Sequence, residues 1–170
     1  MDLIYKIPRG AAEAVELWQL MTQLDSETHF MMYEPGERDK LSVGAKQLEK
    51  VIEGANQKTD FLETVIKNGK MIGYLSAERG RPRRIRHTVY VVIGILAAYR
   101  GQKIGTRLFR DMGVWARNND VKRLELTVMQ DNIVAQHLYE KNGFVIEGTR
   151  KEALLVDGQY VNEYYMSKIL

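Results

Sequence analysis

A long apolar run from His87 to Ala98 places the tightest limit on how this chain folds. Its β-branched part, Thr88 to Leu96, predicts a β-strand. Apolar side chains fall on both faces of that strand: one face carries Val89, Val91, Ile93 and Ile95, and the other carries Tyr90, Val92 and Leu96. A strand without a polar face is expected at the centre of a sheet that is covered on both sides.

The apolar strand leads directly into a glycine-bearing turn and a helix, in the segment from Tyr99 to Leu108. The first turn of a helix presents unpaired backbone N–H groups and the positive end of the helix dipole, which together favour a bound phosphate. A phosphate-bearing cofactor is therefore the first hypothesis. An ordinary strand-to-helix turn is the alternative, because so short a pattern is weak by itself.

The composition excludes several kinds of site. A length of 170 residues predicts one domain over residues 1–170. The absence of cysteine excludes disulfides, thiolate metal ligands and a cysteine nucleophile, and the three histidines form no metal-ligand pattern, so no metal is predicted. No segment resembles a signal peptide or a membrane span, so we expect a cytoplasmic protein without a membrane partner.

Five arginines fall within one short segment, although the formal net charge is only +3; they are Arg79, Arg81, Arg83, Arg84 and Arg86. The simplest interpretation is a solvated loop between two strands. Attraction of an acidic substrate or of RNA is the alternative. Aromatic residues that could stack on bases do not interleave the arginines, so a nucleic-acid partner is predicted to be absent.

The first half of the chain predicts two helices and three strands. The strands are Leu3–Ile7, Phe61–Ile66 and Met71–Ala77, the last two joined by a hairpin turn at Asn68-Gly69, and the helices are Ala11–Leu24 and Leu41–Ala55. A loop is expected from Asp25 to Lys40, with a helical turn around His29 to Met32. Its Met31, Met32 and Tyr33 either border an acceptor site or pack within the loop itself, and the second is the simpler account.

The second half predicts a helix from Ile104 to about Asn118, a strand at Arg123–Met129, a helix at Ile133–Asn142, and strands at Phe144–Val156 and Gln159–Ile169. The strand, helix, strand order after Thr88 implies one parallel pair of strands. Asp157-Gly158 predicts a second hairpin turn. Together the elements predict an α+β domain on a mixed sheet.

The glycine-bearing turn also carries a family resemblance. Its sequence Arg100-Gly101-Gln102-Lys103-Ile104-Gly105 resembles the pyrophosphate-binding signature of the GCN5-related N-acetyltransferases, which bind acetyl-CoA at this turn. Lys103 departs from the pattern, since the family usually has glycine there. A side chain costs energy if positive φ is required, so we expect Lys103 to lie in the first helical turn instead.

A second and longer block resembles the same family. It runs from Leu126 to Phe144, and the tail segments Glu147–Arg150, Asp157–Tyr160 and Tyr165–Met166 are similar to the bacterial subgroup that acetylates amino acids, phosphinothricin, spermidine and ribosomal proteins. The resemblance implies a mixed, mostly antiparallel twisted sheet of about seven strands with about four helices and one parallel pair in the middle. A homodimer is plausible on the same ground.

The resemblance also implies roles for particular residues. The pyrophosphate of acetyl-CoA would be held by Arg100, Gly101, Gln102, Lys103, Ile104, Gly105 and Thr106. Backbone N–H groups near Ile95 and Leu96 would polarise the acetyl carbonyl, and the Asn132 side chain would bond the pantetheine arm. Tyr139 would protonate the leaving thiolate as the catalytic acid, because a phenol stays protonated at neutral pH. The alternatives are a simple helix cap for Asn132 and a packed rim tyrosine for Tyr139.

These expectations favour an acetyl-CoA-dependent N-acetyltransferase that acts directly on a primary amine of a small molecule, either an amino acid, an amino-acid analogue or a polyamine. An enzyme acting on protein N-termini, as on ribosomal proteins, and a non-catalytic acyl-CoA-binding module are the alternatives. The general base is not identified. The residues considered for it are His87, Glu78, Tyr90 and Glu125, and a water chain is the other possibility.

Overall fold

The computed structural model describes residues 2–38 and 40–170. Four α-helices are present in this part of the chain: α1 (Gly10–Glu27), α2 (Leu41–Asn56), α3 (Ile104–Asn118) and α4 (Ile133–Lys141). The strands are β1 (Ile4–Lys6), β2 (Phe61–Lys67), β3 (Lys70–Arg79), β4 (Thr88–Ile95), β5 (Arg123–Met129), β6 (Val145–Val156) and β7 (Gln159–Ile169). None of the described helices is long and apolar enough to span a bilayer.

The strands form one seven-stranded sheet in the order β1-β2-β3-β4-β5-β7-β6. Every neighbouring pair is antiparallel except β4 and β5, which are parallel. This confirms the predicted fold class. The parallel pair is short, because only three residue pairs, ending at Tyr90 with Glu125, are in register before β4 and β5 separate. The sheet is therefore open near its centre, beside the last residues of β4.

Helices cover both faces of the sheet. A Cβ atom added to Gly94 of β4 would lie 2.6 Å from Leu24 of α1, whereas one added to Gly105 of α3 would lie 3.6 Å from Ile93. Adjacent strand residues point to opposite faces, so α1 and α3 lie on opposite sides of β4. The cover on the α1 side is incomplete, because Tyr90 is 41% exposed. The prediction that both faces of this strand are covered was therefore only partly correct.

Both predicted hairpin turns have the expected backbone. Asn68 and Gly69 have φ of 51° and 75°, and Asp157 and Gly158 have φ of 49° and 78°. Two consecutive positive φ angles define the turn type that matches the twist of a hairpin.

The structure differs from the prediction after the first helix. Helix α1 continues to Glu27, beyond the predicted end at Leu24, and the expected helical turn at His29–Met32 is not formed. Asp39, within the predicted loop, lies outside the described residues.

Two arginines of the segment from Arg79 to Arg86 hold neighbouring elements together. The backbone N–H of Arg79 and the guanidinium of Arg81 both donate to the buried carboxylate of Asp60, at 2.8 Å each. The Arg79 guanidinium donates to the carbonyls of Thr59, Arg86 and Asn119. The interpretation as a merely solvated loop was therefore wrong for these two arginines, since they tie β3 to the ends of α2 and α3.

Candidate active site

A cavity of about 610 Å³ lies where β4 and β5 separate. Its walls are the end of β4, the turn from Tyr99 to Thr106, the beginning of α4, and the end of α1 with the segment that follows it. The cavity brings together nine of the predicted site residues. They are Ile95, Arg100, Gly101, Lys103, Ile104, Gly105, Thr106, Asn132 and Tyr139. Leu96 and Gln102 are not among its lining residues.

The turn before α3 has the properties of an anion site. Within the described part of the chain, none of the backbone N–H groups from Gly101 to Thr106 donates a hydrogen bond, and α3 has no side-chain cap. The Arg100 side chain folds back instead, and its Nε donates to the Ile95 carbonyl at 3.0 Å. Unpaired N–H groups at a helix N-terminus attract phosphate oxygens, so the turn can hold a pyrophosphate.

Lys103 does not lie in the first helical turn, so that expectation was wrong. It is the N-cap residue of α3, with φ of 62° and ψ of 14°, which is left-handed backbone. Such a geometry costs a residue with a Cβ atom roughly 1–2 kcal/mol, and glycine avoids this cost. The departure from the family pattern therefore falls at a position whose backbone favours glycine.

Only one of the two predicted carbonyl-polarising N–H groups faces the cavity. The N–H of Leu96 donates to the Ile72 carbonyl at 2.9 Å, so it belongs to the pairing with β3 and is not available to a ligand. Residues along an antiparallel strand alternate between bonding their neighbour and pointing away from it. Ile95, opposite Gly73, therefore directs its N–H into the gap beside β5. The expectation for Leu96 is corrected, and Ile95 keeps the role as a candidate.

Asn132 is the N-cap of α4. Its Oδ1 accepts a hydrogen bond from the Ala135 backbone N–H at 3.2 Å. A side-chain cap of this kind satisfies one of the free N–H groups at the start of a helix. The amide NH₂ makes no hydrogen bond within the described part of the chain, and Asn132 lines the cavity. The cap and the contact with a cosubstrate are therefore compatible, since they use different ends of one amide.

Tyr139 is buried at the cavity wall. Its ring packs against Phe109 and Phe144, with centroid distances of 5.8 and 6.1 Å. Burial raises the pKa of the Tyr139 phenol, and the nearby phenols of Tyr90 and Tyr74 raise it further. No hydrogen bond joins its hydroxyl to another described residue. The phenol is thus packed in place and holds its proton at neutral pH, as an acid must before it protonates a leaving group.

None of the four residues considered as the general base lines the cavity. His87 is exposed at the opposite end of β4. Glu125 accepts from the Arg123 Nε at 2.8 Å, and Glu78 is 73% exposed on its side chain. Tyr90 shares a 2.8 Å hydrogen bond with Thr127. The structure thus places no carboxylate or imidazole of this set where it could take a proton from a bound amine.

One wall of the cavity was only partly anticipated from the sequence. Leu24 and Thr28, at the end of α1, line it together with Phe30 and Met31. Met31 was named as a possible acceptor-site residue, and it does line the cavity, whereas Met32 is 63% exposed. No periodicity marks this irregular segment. Its position follows from tertiary contacts instead.

Two polar contacts hold this wall in place. The carboxylate of Glu27 accepts from the Ala97 backbone N–H at 2.8 Å, which ties the end of α1 to the turn after β4. His29 Nε2 lies 3.4 Å from the Asp131 carboxylate, which belongs to the turn between β5 and α4. The segment after α1 therefore reaches across the cavity from the β4 side to the β5 side.

The residues present fit an acyl-CoA. The free N–H groups of the turn suit its pyrophosphate, and the gap beside Ile95 exposes strand backbone to its amide-containing arm. Tyr139 lines the same cavity and carries a hydroxyl that can donate a proton. Within the described residues, no group of three or more His, Asp or Glu side chains could hold a metal ion.

The fold and the cavity together fit an acyl-CoA-binding protein, because the mixed sheet opens between its two parallel strands beside a helix N-terminus without a side-chain cap. The model of the acetyltransferase (GNAT) family matches residues 18–144. The chain belongs to this family, as its resemblance in sequence predicted. Acetyl-CoA is the cosubstrate that membership implies.

Three comparisons are informative. The L-amino acid N-acetyltransferase AaaT of Escherichia coli is 36% identical over 107 residues, which cover 60% of this chain and 64% of AaaT. The N-alpha-acetyltransferase RimI of Mycobacterium tuberculosis is 36% identical over 91 residues, covering 53% of this chain and 55% of RimI. A GNAT-family acetyltransferase structure from Streptococcus pneumoniae superposes with a TM-score of 0.89 at 26% identity, over 99% of both chains. The chain therefore spans less than two thirds of both named relatives.

Proposed function

We propose that the protein transfers an acetyl group from acetyl-CoA to the primary amine of a small molecule, with an amino acid or an amino-acid analogue as the first candidate and a polyamine as the second. The observation that carries this proposal is one cavity in which the N–H groups of the turn and a buried phenol on α4 make no hydrogen bonds to the described residues. The similarity to AaaT supports an amino-acid acceptor.

The residues of the chain would divide the work as follows. The N–H groups from Gly101 to Thr106 bind the pyrophosphate, and the Asn132 amide holds the pantetheine arm. The bound cosubstrate supplies an activated thioester. The Ile95 N–H donates to the acetyl oxygen, where negative charge grows during attack. Tyr139 gives its proton to the departing sulfur. Solvent takes the proton that the amine loses, because none of the four residues considered as the base lines the cavity.

A protein N-terminus is the alternative acceptor, and the similarity to RimI favours it. The segment with Phe30 and Met31 argues for a small acceptor, because it closes one wall of the cavity and is bridged to Asp131 by His29. Release of CoA thiol from acetyl-CoA, measured across amino acids, polyamines and N-terminal peptides, separates the two. Turnover with peptides alone would contradict the small-molecule assignment.

The variant Tyr139→Phe tests the catalytic assignment. It keeps the ring packed against Phe109 and removes only the hydroxyl, so we expect kcat to fall about 10²-fold, the low end of the range for a lost general acid. The affinity for acetyl-CoA, measured by thermal shift, should remain within twofold. A variant with unchanged kcat would show that Tyr139 is only a packed tyrosine. Failure of the wild-type protein to bind acetyl-CoA would contradict the proposed function itself.

The family resemblance also leads us to propose a cytoplasmic homodimer. Light scattering after size-exclusion chromatography tests the oligomeric state, and a monomeric mass at working concentration would contradict it.

A further inference from the structure

Lys141 is the last residue of α4, and it lines the cavity without a role in the proposed mechanism. Val134, Leu138 and Lys141 all line the cavity, and their spacing of four and then three residues places them on one face of the helix. Lys141 is exposed, and its ammonium makes no ion pair within the described part of the chain. This cation is therefore free to meet a ligand in the cavity.

The end of α4 is capped by side chains other than Lys141. A lysine in the last turn of a helix can bond the free carbonyl groups there. In α4, however, the Asn142 side chain donates to the Leu138 carbonyl at 2.8 Å, and the Lys168 ammonium donates to the Asn142 carbonyl at 2.9 Å. The residues three and four positions before Lys141 are Leu138 and His137, so neither supplies an acid for an ion pair along the helix. Lys141 thus has no hydrogen-bonding role in the described fold.

The same face of α4 packs against the turn where the pyrophosphate is proposed to bind. A Cβ atom added to Gly105, in the first turn of α3, would lie 3.0 Å from Leu138 Cδ2. Lys141 follows Leu138 by three residues, which is about one helical turn. Lys141 therefore borders the same end of the cavity as the free N–H groups from Gly101 to Thr106.

The charged residues that line the cavity are mostly cations. They are Arg100, Lys103 and Lys141, and Asp131 is the one acid among the described residues that line it. The Arg100 side chain folds back to the Ile95 carbonyl, and Lys103 belongs to the turn itself. Lys141 is thus the cation that a second helix brings to the cavity. CoA carries three phosphate groups: two form its pyrophosphate, and the third is a monoester on the 3′ carbon of the ribose.

We propose that the Lys141 ammonium binds the ribose 3′-phosphate of acetyl-CoA and makes the enzyme selective for this cosubstrate over its 3′-dephospho form, an assignment that rests on the proposed function. The N–H groups of the turn serve the pyrophosphate, so the third phosphate needs another partner. The backbone at the C-terminal end of a helix carries partial negative charge and repels a phosphate, so the partner there must be a cationic side chain. An ammonium is a compact charge that binds phosphate well.

Binding of acetyl-CoA and of acetyl-3′-dephospho-CoA, measured by isothermal titration calorimetry, tests this contact. We expect the wild type to bind acetyl-CoA about fivefold more tightly, the upper end for an exposed charge pair, and this preference should shrink at high salt. Lys141→Met keeps the length of the side chain without its charge, so it should bind the two compounds within twofold of each other. Lys141→Arg should retain the preference.

Lys122→Met is the matched control, because Lys122 is also an exposed lysine but lies outside the cavity lining. It should show the wild-type preference. The midpoint of urea unfolding should be the same in all three variants as in the wild type, which separates a lost contact from a damaged fold.

The outcomes separate this inference from the proposed function. Wild-type protein that binds both compounds equally would overturn the role of Lys141 and leave the acetyltransferase assignment standing. Equal weakening of both compounds in Lys141→Met would also overturn it, because the ammonium would then serve the pyrophosphate. Unchanged binding of both in Lys141→Met would show that the residue only complements the helix dipole. Wild-type protein that binds neither compound would overturn both proposals.

Discussion

Lys103 carries backbone strain at the turn where the pyrophosphate is proposed to bind. Its φ of 62° is left-handed, and replacement by glycine removes the clash of its Cβ atom. Glycine also gains freedom in the unfolded chain, which offsets about half of that benefit. We therefore expect Lys103→Gly to raise the free energy of unfolding by about 0.5–1 kcal/mol, measured by urea denaturation.

Gln102→Gly is the control for that experiment. Gln102 is adjacent to Lys103 but has no positive φ, so glycine there should bring no gain in stability. Equal effects of the two substitutions would show that the backbone of Lys103 is not strained. A large gain in acetyl-CoA affinity in Lys103→Gly would show that the strained backbone also weakens binding of the cosubstrate.

Glu63 of β2 is a half-buried acid whose ionised form is poorly accommodated. One of its carboxylate oxygens is buried and makes no hydrogen bond to any residue at positions 2–38 and 40–170. Burial and then the charge of Asp111 raise the pKa of Glu63 from 4.5 to about 7, although Arg107 and Arg110 oppose the shift. The folded protein therefore keeps a proton on Glu63 at a pH where the unfolded chain has released it.

The sign of the resulting pH dependence follows from that shift. Below pH 4.5 the group is protonated in both states and costs nothing; stability is then lost as the pH rises toward about 7. We expect Glu63→Gln to be more stable than wild type by about 1–2 kcal/mol at pH 8, after allowance for solvent screening, and nearly equal at pH 4.5. Urea unfolding at both pH values measures this, with exposed Glu78→Gln as the control. A difference that does not change with pH would contradict the assignment.

At the scale of elements, the start of α4 combines structure and ligand contact in one side chain. Asn132→Ala removes both the cap and the amide, so we expect a loss of about 1 kcal/mol in stability together with weaker acetyl-CoA binding. Asn132→Ser keeps a capping oxygen and loses only the NH₂, so stability should stay within a few tenths of a kcal/mol while binding weakens. Urea unfolding and thermal shift with acetyl-CoA measure the two effects. If Asn132→Ser binds acetyl-CoA as tightly as the wild type does, Asn132 serves only as a helix cap.

The elements that sequence reasoning placed well are those with local signals. The apolar run of β4, the Asn68-Gly69 turn and the cap at Asn132 each depend on a few neighbouring residues, and all three are present in the structure. Nine of the residues that the family resemblance proposed for the site line one cavity, and their roles stay predictions.

The features that sequence reasoning missed depend on distant parts of the chain. The N–H of Leu96 is used by Ile72 because of the register between β3 and β4, which no local pattern specifies. Phe30 reaches the cavity through an irregular segment that His29 joins to Asp131, and these two residues are 102 positions apart. The left-handed backbone of Lys103 was missed because a residue with a Cβ atom disfavours positive φ, although the family pattern has glycine at this position.

At the scale of the whole molecule, the central opening of the sheet organises the site. The helices on the two faces leave the gap between β4 and β5 accessible at one end, where α3 begins and α4 begins. Groups from one strand and three helices, β4, α1, α3 and α4, thus meet in one cavity. The cavity is a consequence of how two parallel strands diverge.

The same opening has a consequence for the exchange of backbone amides with deuterium. The N–H groups of Val92 and Gly94 donate toward β3, whereas those of Ile93 and Ile95 point into the gap, beyond the last described pair between β4 and β5. In the protein without acetyl-CoA, we expect NMR to show slow exchange at the first two residues and fast exchange at the other two, although all four lie at the centre of the sheet. Acetyl-CoA should slow the exchange of Ile95. Uniform protection along β4 would contradict this. With the expected alternation, the middle of the sheet behaves, at every second residue, like its edge.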